Sequence, residues 1–319
     1  MNHRAALVAQ ARDSIARGSK SFAAASRLFD RETRERVWLL YAWCRACDDV
    51  ADAQDMGGAL GDQSGGMQRV AEIRELTSRA LAGETTGESP FDALGLLSRE
   101  VPITQDMADD VIAGFDLDAR DWRPRSEADL LRYCYHVAGA VGVMMATVMG
   151  VPGEDEDTLD RACDLGLAFQ LANIARDVSE DDAAGRCYLP VDWLVEADIP
   201  PGELTKPRYR KALVPLVPRL CDMAGRYEAS ARIGAARLPF RQRWAILSAA
   251  GIYGAIARKV RAAGAHAWDH RVHTSGWQKA GFVLRGLAES LGRPVHAPRP
   301  ALSRRELSRL AREADQPSR

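Results

Sequence analysis

Three observations predict an all-α protein. Apolar residues recur at spacings of three and four, no stretch alternates apolar and polar residues over a useful length, and breakers divide the chain into helix-length pieces. Val37, Leu40, Tyr41, Cys44 and Cys47 share one helical face, as do Ile246, Ala249, Ala250, Tyr253, Ala257 and Val260. Breaks fall at Met56–Met67, Gly83–Pro90, Trp122–Ser126, Val151–Glu154 and Asp198–Pro207. Ser126 followed by Asp129 reads as the start of the helix that carries Tyr133. No repeat is evident. The expected organisation is one helical domain over residues 1–290 and an Arg/Pro-rich tail over 291–319. From Gly292 onward seven arginines meet three acids, which reads as a solvated, partly disordered tail. Within it, Ser303–Glu313 has the pattern of a short amphipathic helix suited to resting on anionic lipid.

Composition excludes several classes of function. With 319 residues, 46% apolar and 27% charged, the chain has ample material for a core. Its 43 basic and 44 acidic residues leave a net charge of −1, so no global field recruits nucleic acid. Only five of the basic residues are lysines; arginine suits bidentate phosphate binding, although a GC-rich coding sequence gives the same bias. The N-terminal MNHRAALVAQARDSIAR lacks the apolar core of a signal peptide. The longest apolar run, Val137–Val151, is interrupted by glycines and falls short of the ~20 residues that span a bilayer. Six cysteines without a framework fit a reducing compartment, so the expected location is the cytoplasm.

Two segments carry the chemistry. In Tyr41 through Asp52, Asp48 and Asp52 stand at i and i+4, where like charges repel unless a cation joins them. Arg45 lies one turn earlier on the same face, and Asp49 turns away. In the second segment Gln170, Asn173, Asp177 and Asp181 form a polar stripe at i, i+3, i+7 and i+11 among apolar neighbours, with Arg176 beside it. Buried polar groups need partners, and a metal-bound anion supplies them. Mg²⁺ takes few carboxylates and completes its octahedron with water and phosphate oxygens, so paired aspartates with nearby arginines point to a diphosphate ligand. Other signals are set aside. Cys44-x-x-Cys47 has no second pair for zinc, and His266, Asp269, His270 and His273 lack a metalloprotease motif. The acidic run Glu154–Asp157 suits a solvent-facing helix start, and Gly57-Gly58-x-x-Gly61 follows no strand.

Five ordered blocks carry a resemblance: Ser19-Lys-Ser21-Phe22, Tyr41 through Asp52, Tyr133 through Gly142, Gln170 through Asp181, and Arg186-Cys-Tyr188-Leu-Pro190. Over residues 14–285 the chain resembles the squalene/phytoene synthases, most closely the bacterial phytoene synthases. The resemblance implies a single-domain helical bundle of the trans-isoprenyl diphosphate synthase type with a central cavity. It implies Mg²⁺, with Mn²⁺ as a substitute, at Asp48, Asp52, Asn173, Asp177 and Asp181. Arg45, Arg176 and Arg271 then neutralise the leaving group, while Ser19, Ser21 and Gln170 orient phosphate or substrate. Tyr41, Tyr133, Tyr188 and Tyr253 match tyrosines lining the reaction chamber.

Carbocation chemistry needs dry, apolar walls, for which Phe22, Val137, Ala138, Val141, Gly142, Leu167 and Leu171 are suited. The expected reaction joins two geranylgeranyl diphosphates head to head to phytoene without NADPH, there being no phosphate-cradling glycine loop. The rivals are squalene or dehydrosqualene synthesis from farnesyl diphosphate, and a non-catalytic lipid-binding assembly protein, against which the intact aspartate pairs argue. Ser26, one turn beyond Phe22, is expected to leave the chamber's end open for the longer substrate. Greasy substrates and product suggest contact with a membrane surface and with neighbouring carotenoid-pathway enzymes.

Overall fold

The computed structural model describes residues 3–56, 61–200, 202–292, 298–299 and 302–314, without the side chains of Ser21 and 311–314. Gly57 and Gly58 lie outside the described residues. The chain divides into two compact units, residues 1–120 with 143–156 and residues 121–142 with 157–319. Among the described residues there is no strand, and no helix is long and apolar enough to cross a membrane.

The first unit is built on α1 (His3–Gly18), α2 (Lys20–Ser26), α3 (Arg31–Ala51), α4 (Gly66–Leu81), α5 (Ser89–Glu100) and α6 (Gln105–Ala119). Ser19, Asp30 and Thr104 hold extended backbone, and each accepts the N–H three residues on, at 3.3, 2.9 and 3.3 Å, which starts α2, α3 and α6. Val37, Leu40, Trp43 and Cys47 of α3 are buried with Leu7, Ala11 and Ile15 of α1. Each fully buried large aliphatic side chain contributes about 1.5–3 kcal/mol. The Trp43 indole donates to Thr77 Oγ1 at 3.1 Å, so its polar atom is satisfied inside the core. A Cβ on Gly95 would stand 2.6 Å from the Ala80 carbonyl, so α4 and α5 cross with their backbones in contact. At one end Glu100 accepts from Arg4 (2.7 Å) and Arg36 (3.0 Å), tying α1, α3 and α5 together.

In the second unit α7 (Glu127–Cys134) opens with the expected cap. Ser126 Oγ accepts the Asp129 N–H at 3.3 Å, and Asp129 Oδ2 accepts the Ser126 N–H at 3.2 Å. Tyr135–Gly139 is a widened π-helical turn between α7 and α8 (Ala140–Val148). The turn lies against α9 (Glu156–Ala183): Gly166 abuts the Ala138 carbonyl, Gly139 lies beside Cys163, and Gly142 abuts the Ala162 carbonyl. These glycines serve close backbone packing. Then follow α10 (Val191–Glu196), α11 (Arg210–Leu213), α12 (Val217–Ala235), α13 (Phe240–Ala263), α14 (Gly276–Leu291) and α15 (Arg304–Ala314).

The described part of the expected tail departs from a solvated one. Leu307 of α15 is completely buried, and Arg299 reaches Asp160 (2.8 Å) and Asp164 (3.3 Å), two buried carboxylates of α9. Ser303 and Glu306 cap α15 reciprocally. The physical reason is charge: Asp160 and Asp164 need a cation, and Arg299 supplies it.

Candidate functional site

In the first unit the site residues lie along the last turns of α3. The helical spacing places Tyr41, Arg45, Asp48 and Asp52 along one face, with Cys47 and Trp43 turned into the core. Arg45 donates to Asp48 and stands 3.7 Å from Asp49, while Gln54 Nε2 donates to Asp48 Oδ2 at 3.3 Å. Asp52 is the last residue of the helical spiral, its N–H still bonded to the Asp48 carbonyl at 3.1 Å. The chain then turns sharply. Ala53 and Met56 take φ of 50° and 52°, left-handed values that disfavour a Cβ. Asp49, through Oδ2, accepts the Met56 N–H at 3.1 Å, and the Asp52 carbonyl accepts from Gln63 at 2.9 Å; these bonds hold the strained turn. Asp49 thus has a structural task.

Burial raises the Tyr41 hydroxyl above its usual value, against the pull of Arg45. That hydroxyl lies against Gly18, where any side chain would strike it. Phe22 approaches the Tyr41 ring at 6.4 Å. Ser19 is the N-cap of α2, and the Ser21 side chain lies outside the described residues. Burial also pushes the Cys44 thiol up to about 12, an inert sulfhydryl rather than a zinc ligand.

Ser26 is a correction. It is 2% exposed, donates to the Ala23 carbonyl at 2.9 Å and accepts from the Trp38 indole at 3.0 Å. The residue closes a packed corner of the first unit, so it leaves no room for an extra isoprene unit.

In the second unit the stripe runs down α9. Leu167, Leu171, Ile174 and Val178 face the core, and Gln170, Asn173 and Asp177 are half-buried. Leu167 and Leu171 are therefore core packing, where the sequence suggested chamber walls. Val137, Ala138, Val141 and Gly142 keep partial exposure. Asp177 is gripped from two sides. Arg176 donates through Nε at 2.7 Å, and Arg271 donates through both Nε and Nη2 at 3.0 Å. Burial alone would raise the Asp177 carboxyl, but these bonds outweigh it and hold it below the usual carboxylate range. Arg271 comes from the segment between α13 and α14, which Trp268 fastens to α9 through an indole bond to the Ala175 carbonyl at 3.1 Å. Asp181 stands one turn beyond Asp177, in the last turn of α9.

Aromatic rings gather in the same unit. Tyr133 stacks on Tyr188 with centroids 4.6 Å apart, and Trp122 stacks on Tyr133 at 6.2 Å with the Arg132 guanidinium over its ring. Tyr253 stacks on Phe169 at 4.1 Å. The sequence reading missed Trp122, Phe169 and Trp268. Trp122 lay in a breaker-rich stretch, and the other two carry no polar signal.

One observation bears on a metal. The buried Asn173 Oδ1 has no hydrogen-bond partner, although it lies on the same stripe as Asp177. An orphaned amide oxygen beside a carboxylate is a donor set for a hard cation such as Mg²⁺. No three His, Cys, Asp or Glu among the described residues converge on a common point. His266 pairs with Asp269 at 2.7 Å, and His273 Nδ1 contacts the Arg271 carbonyl.

The chain is similar to many known proteins. A phytoene synthase from Pseudescherichia vulneris is 46% identical over 280 residues, covering 87% of this chain and 90% of that protein. A 15-cis-phytoene synthase from Pantoea ananas is 44% identical over 302 residues, covering 92% and 96%. Among solved structures, a dehydrosqualene synthase in complex with ligand superposes with a TM-score of 0.78 at 25% identity, covering 89% of this chain and 96% of that one. A squalene synthase from Alicyclobacillus acidocaldarius shares the fold at a TM-score of 0.70 and 23% identity, covering 81% and 94%. Residues 15–278, most of the chain, match the squalene/phytoene synthase family, and the chain belongs to that family.

Proposed function

We propose that this protein joins two molecules of geranylgeranyl diphosphate head to head to give phytoene, as a prenyltransferase of carotenoid synthesis. The observation that carries the reading is the 44–46% identity to phytoene synthases across nearly their full length. One diphosphate ionises and its allylic cation is captured by the double bond of the other; loss of a proton closes a cyclopropylcarbinyl diphosphate. A second ionisation, rearrangement and proton loss give the hydrocarbon, so two diphosphates and two protons leave per product.

The residues divide this work. Arg45, Arg176 and Arg271 bind diphosphate oxygens and take up the charge that develops as the C–O bond breaks. Asp48 and Asp52 in one unit, and Asn173, Asp177 and Asp181 in the other, would hold Mg²⁺ or Mn²⁺. When bound, the metal supplies Lewis-acid stabilisation of the leaving diphosphate. Gln170 and Ser19 orient substrate, with Ser21 in the same role. Phe22, Val137, Ala138, Val141 and Gly142 exclude water from the cation. The outer faces of Tyr188 and Tyr253 stabilise passing positive charge, while Tyr133, stacked between Trp122 and Tyr188, holds Tyr188 in place. The final cation is quenched by proton loss, as the likeness to phytoene synthases supports. The protein is read as cytoplasmic and working at a membrane surface, because substrate chains and product are greasy, with neighbouring pathway enzymes as partners.

The test offers purified protein, divalent metal and each prenyl diphosphate in turn, with and without NADPH, and identifies the hydrocarbons. Phytoene from the C20 diphosphate without NADPH is expected. A reduced product that needs NADPH, or turnover of the C15 diphosphate alone, contradicts the reading. The likeness to a dehydrosqualene synthase makes the C15 arm the informative control.

A further inference from the structure

Helix α14 has two unlike faces. Toward α13 it is firmly packed: Phe282 lies against Gly251, Gly286 against Ser248, and the Trp244 indole donates to the Val283 carbonyl at 2.8 Å. On the opposite face Trp277, Ala280, Gly281, Leu284, Ala288 and Leu291 are all exposed, the three large ones by 91, 67 and 74%. Their spacing puts them in one arc about 100° wide. A face of this kind is ordinarily buried; here it is turned outward, and it carries no charge. Beside it, Arg285 is mostly exposed and pairs with Glu289 at 2.7 Å. Arg285 also stands on the rim of a groove of about 1150 Å³ in which six arginines face three carboxylates.

We propose that the outer face of α14 docks on a lipid bilayer, with Trp277, Leu284 and Leu291 entering the headgroup region and Arg285 at lipid phosphate. Indole and leucine on one side with arginine at the flank is the pattern of a helix lying in the interface plane. A second copy of the chain is the poorer occupant on area. The helix has 16 residues. Such a length is about 24 Å, so the stripe offers only a few hundred Å², where a stable interface takes roughly 800 Å² from each partner. A fluid bilayer needs no complementary surface. The proposal rests on the reading above only in that a hydrocarbon product gives the docking a purpose. It places the contact on α14 rather than on α15, whose Leu307 is already buried.

The test compares the full chain with the triple variant Trp277→Ser, Leu284→Ser, Leu291→Ser, and with Trp277→Ser alone. Each is sedimented with vesicles of phosphatidylcholine and phosphatidylglycerol in equal parts, and helical content is checked by circular dichroism. Hydrocarbon formation is read separately in detergent. The expected result is a vesicle partition at least about tenfold lower for the triple variant and a smaller fall for the single one, with detergent activity unchanged. Equal partition of variant and parent overturns the proposal, as does a parent that fails to bind vesicles. A parent dimer that the triple variant breaks, with vesicle binding unaltered, assigns the face to a second copy and also overturns it. Absence of hydrocarbon in detergent would count against the proposed reaction and leave the vesicle result standing.

Discussion

Asp177 shows what a single side chain in this protein is asked to do. Arg176 and Arg271 close on it from two elements and keep it ionised despite burial. Asp177→Asn, or Asp48→Asn in the other unit, is expected to lower turnover by about a hundredfold or more while circular dichroism stays that of the parent. Near-parental rates in either variant would remove that pair from the chemistry. Ser26 carries the opposite lesson. Its hydroxyl is committed to Ala23 and Trp38, so Ser26→Phe should lose about 1–3 kcal/mol in thermal or denaturant unfolding rather than change substrate length. A stable variant that prefers the C15 diphosphate would contradict this. The aspartate pairs were legible because carboxylates at helical spacing inside apolar stretches are anomalous. The Ser26 environment was not, because Trp38 reaches it from another helix.

At the scale of the element, most helix boundaries follow from local chemistry. The Ser126–Asp129 cap is built as its spacing implied, and the breaks around residues 83–90, 122–126 and 151–154 separate helices. The π-helical turn Tyr135–Gly139 was not legible, since poor helix formers such as Val137 and Gly139 do not specify a widened turn over an ordinary one; it lies where α9 comes into backbone contact. That contact makes a sharp pair of predictions. Gly166→Ala would drive a methyl into the Ala138 carbonyl and should cost about 2 kcal/mol or more of stability. Gly225→Ala, inside α12 with nothing near its Cβ position, should raise stability by up to about 1 kcal/mol. Denaturant unfolding of the two variants reads both. Equal effects would mean that the close approach does not matter.

Across the whole chain, the all-α class was readable from periodicity alone, whereas the packing of the C-terminal segment was not, because it depends on an ion pair closed over more than a hundred residues. Burial raises the Asp164 carboxyl above its usual value, while Ser230 and Arg299 pull it back. A carboxyl raised in the folded state gains its proton more readily there than when unfolded. Stability therefore rises as pH falls through the folded value and is lost as pH climbs past it. Arg299→Gln leaves Asp164 buried with weaker compensation, and about 3 kcal/mol should be lost at neutral pH. The loss should shrink in acid, where Asp164 is neutral; a pH-independent loss would contradict this role.

The claim at the centre is a double ionisation that ends in one hydrocarbon. Its most direct measurement counts products together: purified protein, Mg²⁺ and geranylgeranyl diphosphate, with phytoene and inorganic diphosphate quantified in the same reaction and no nicotinamide present. Two diphosphates are expected for each phytoene formed. One diphosphate per hydrocarbon, or diphosphate release with no C40 product, would contradict it.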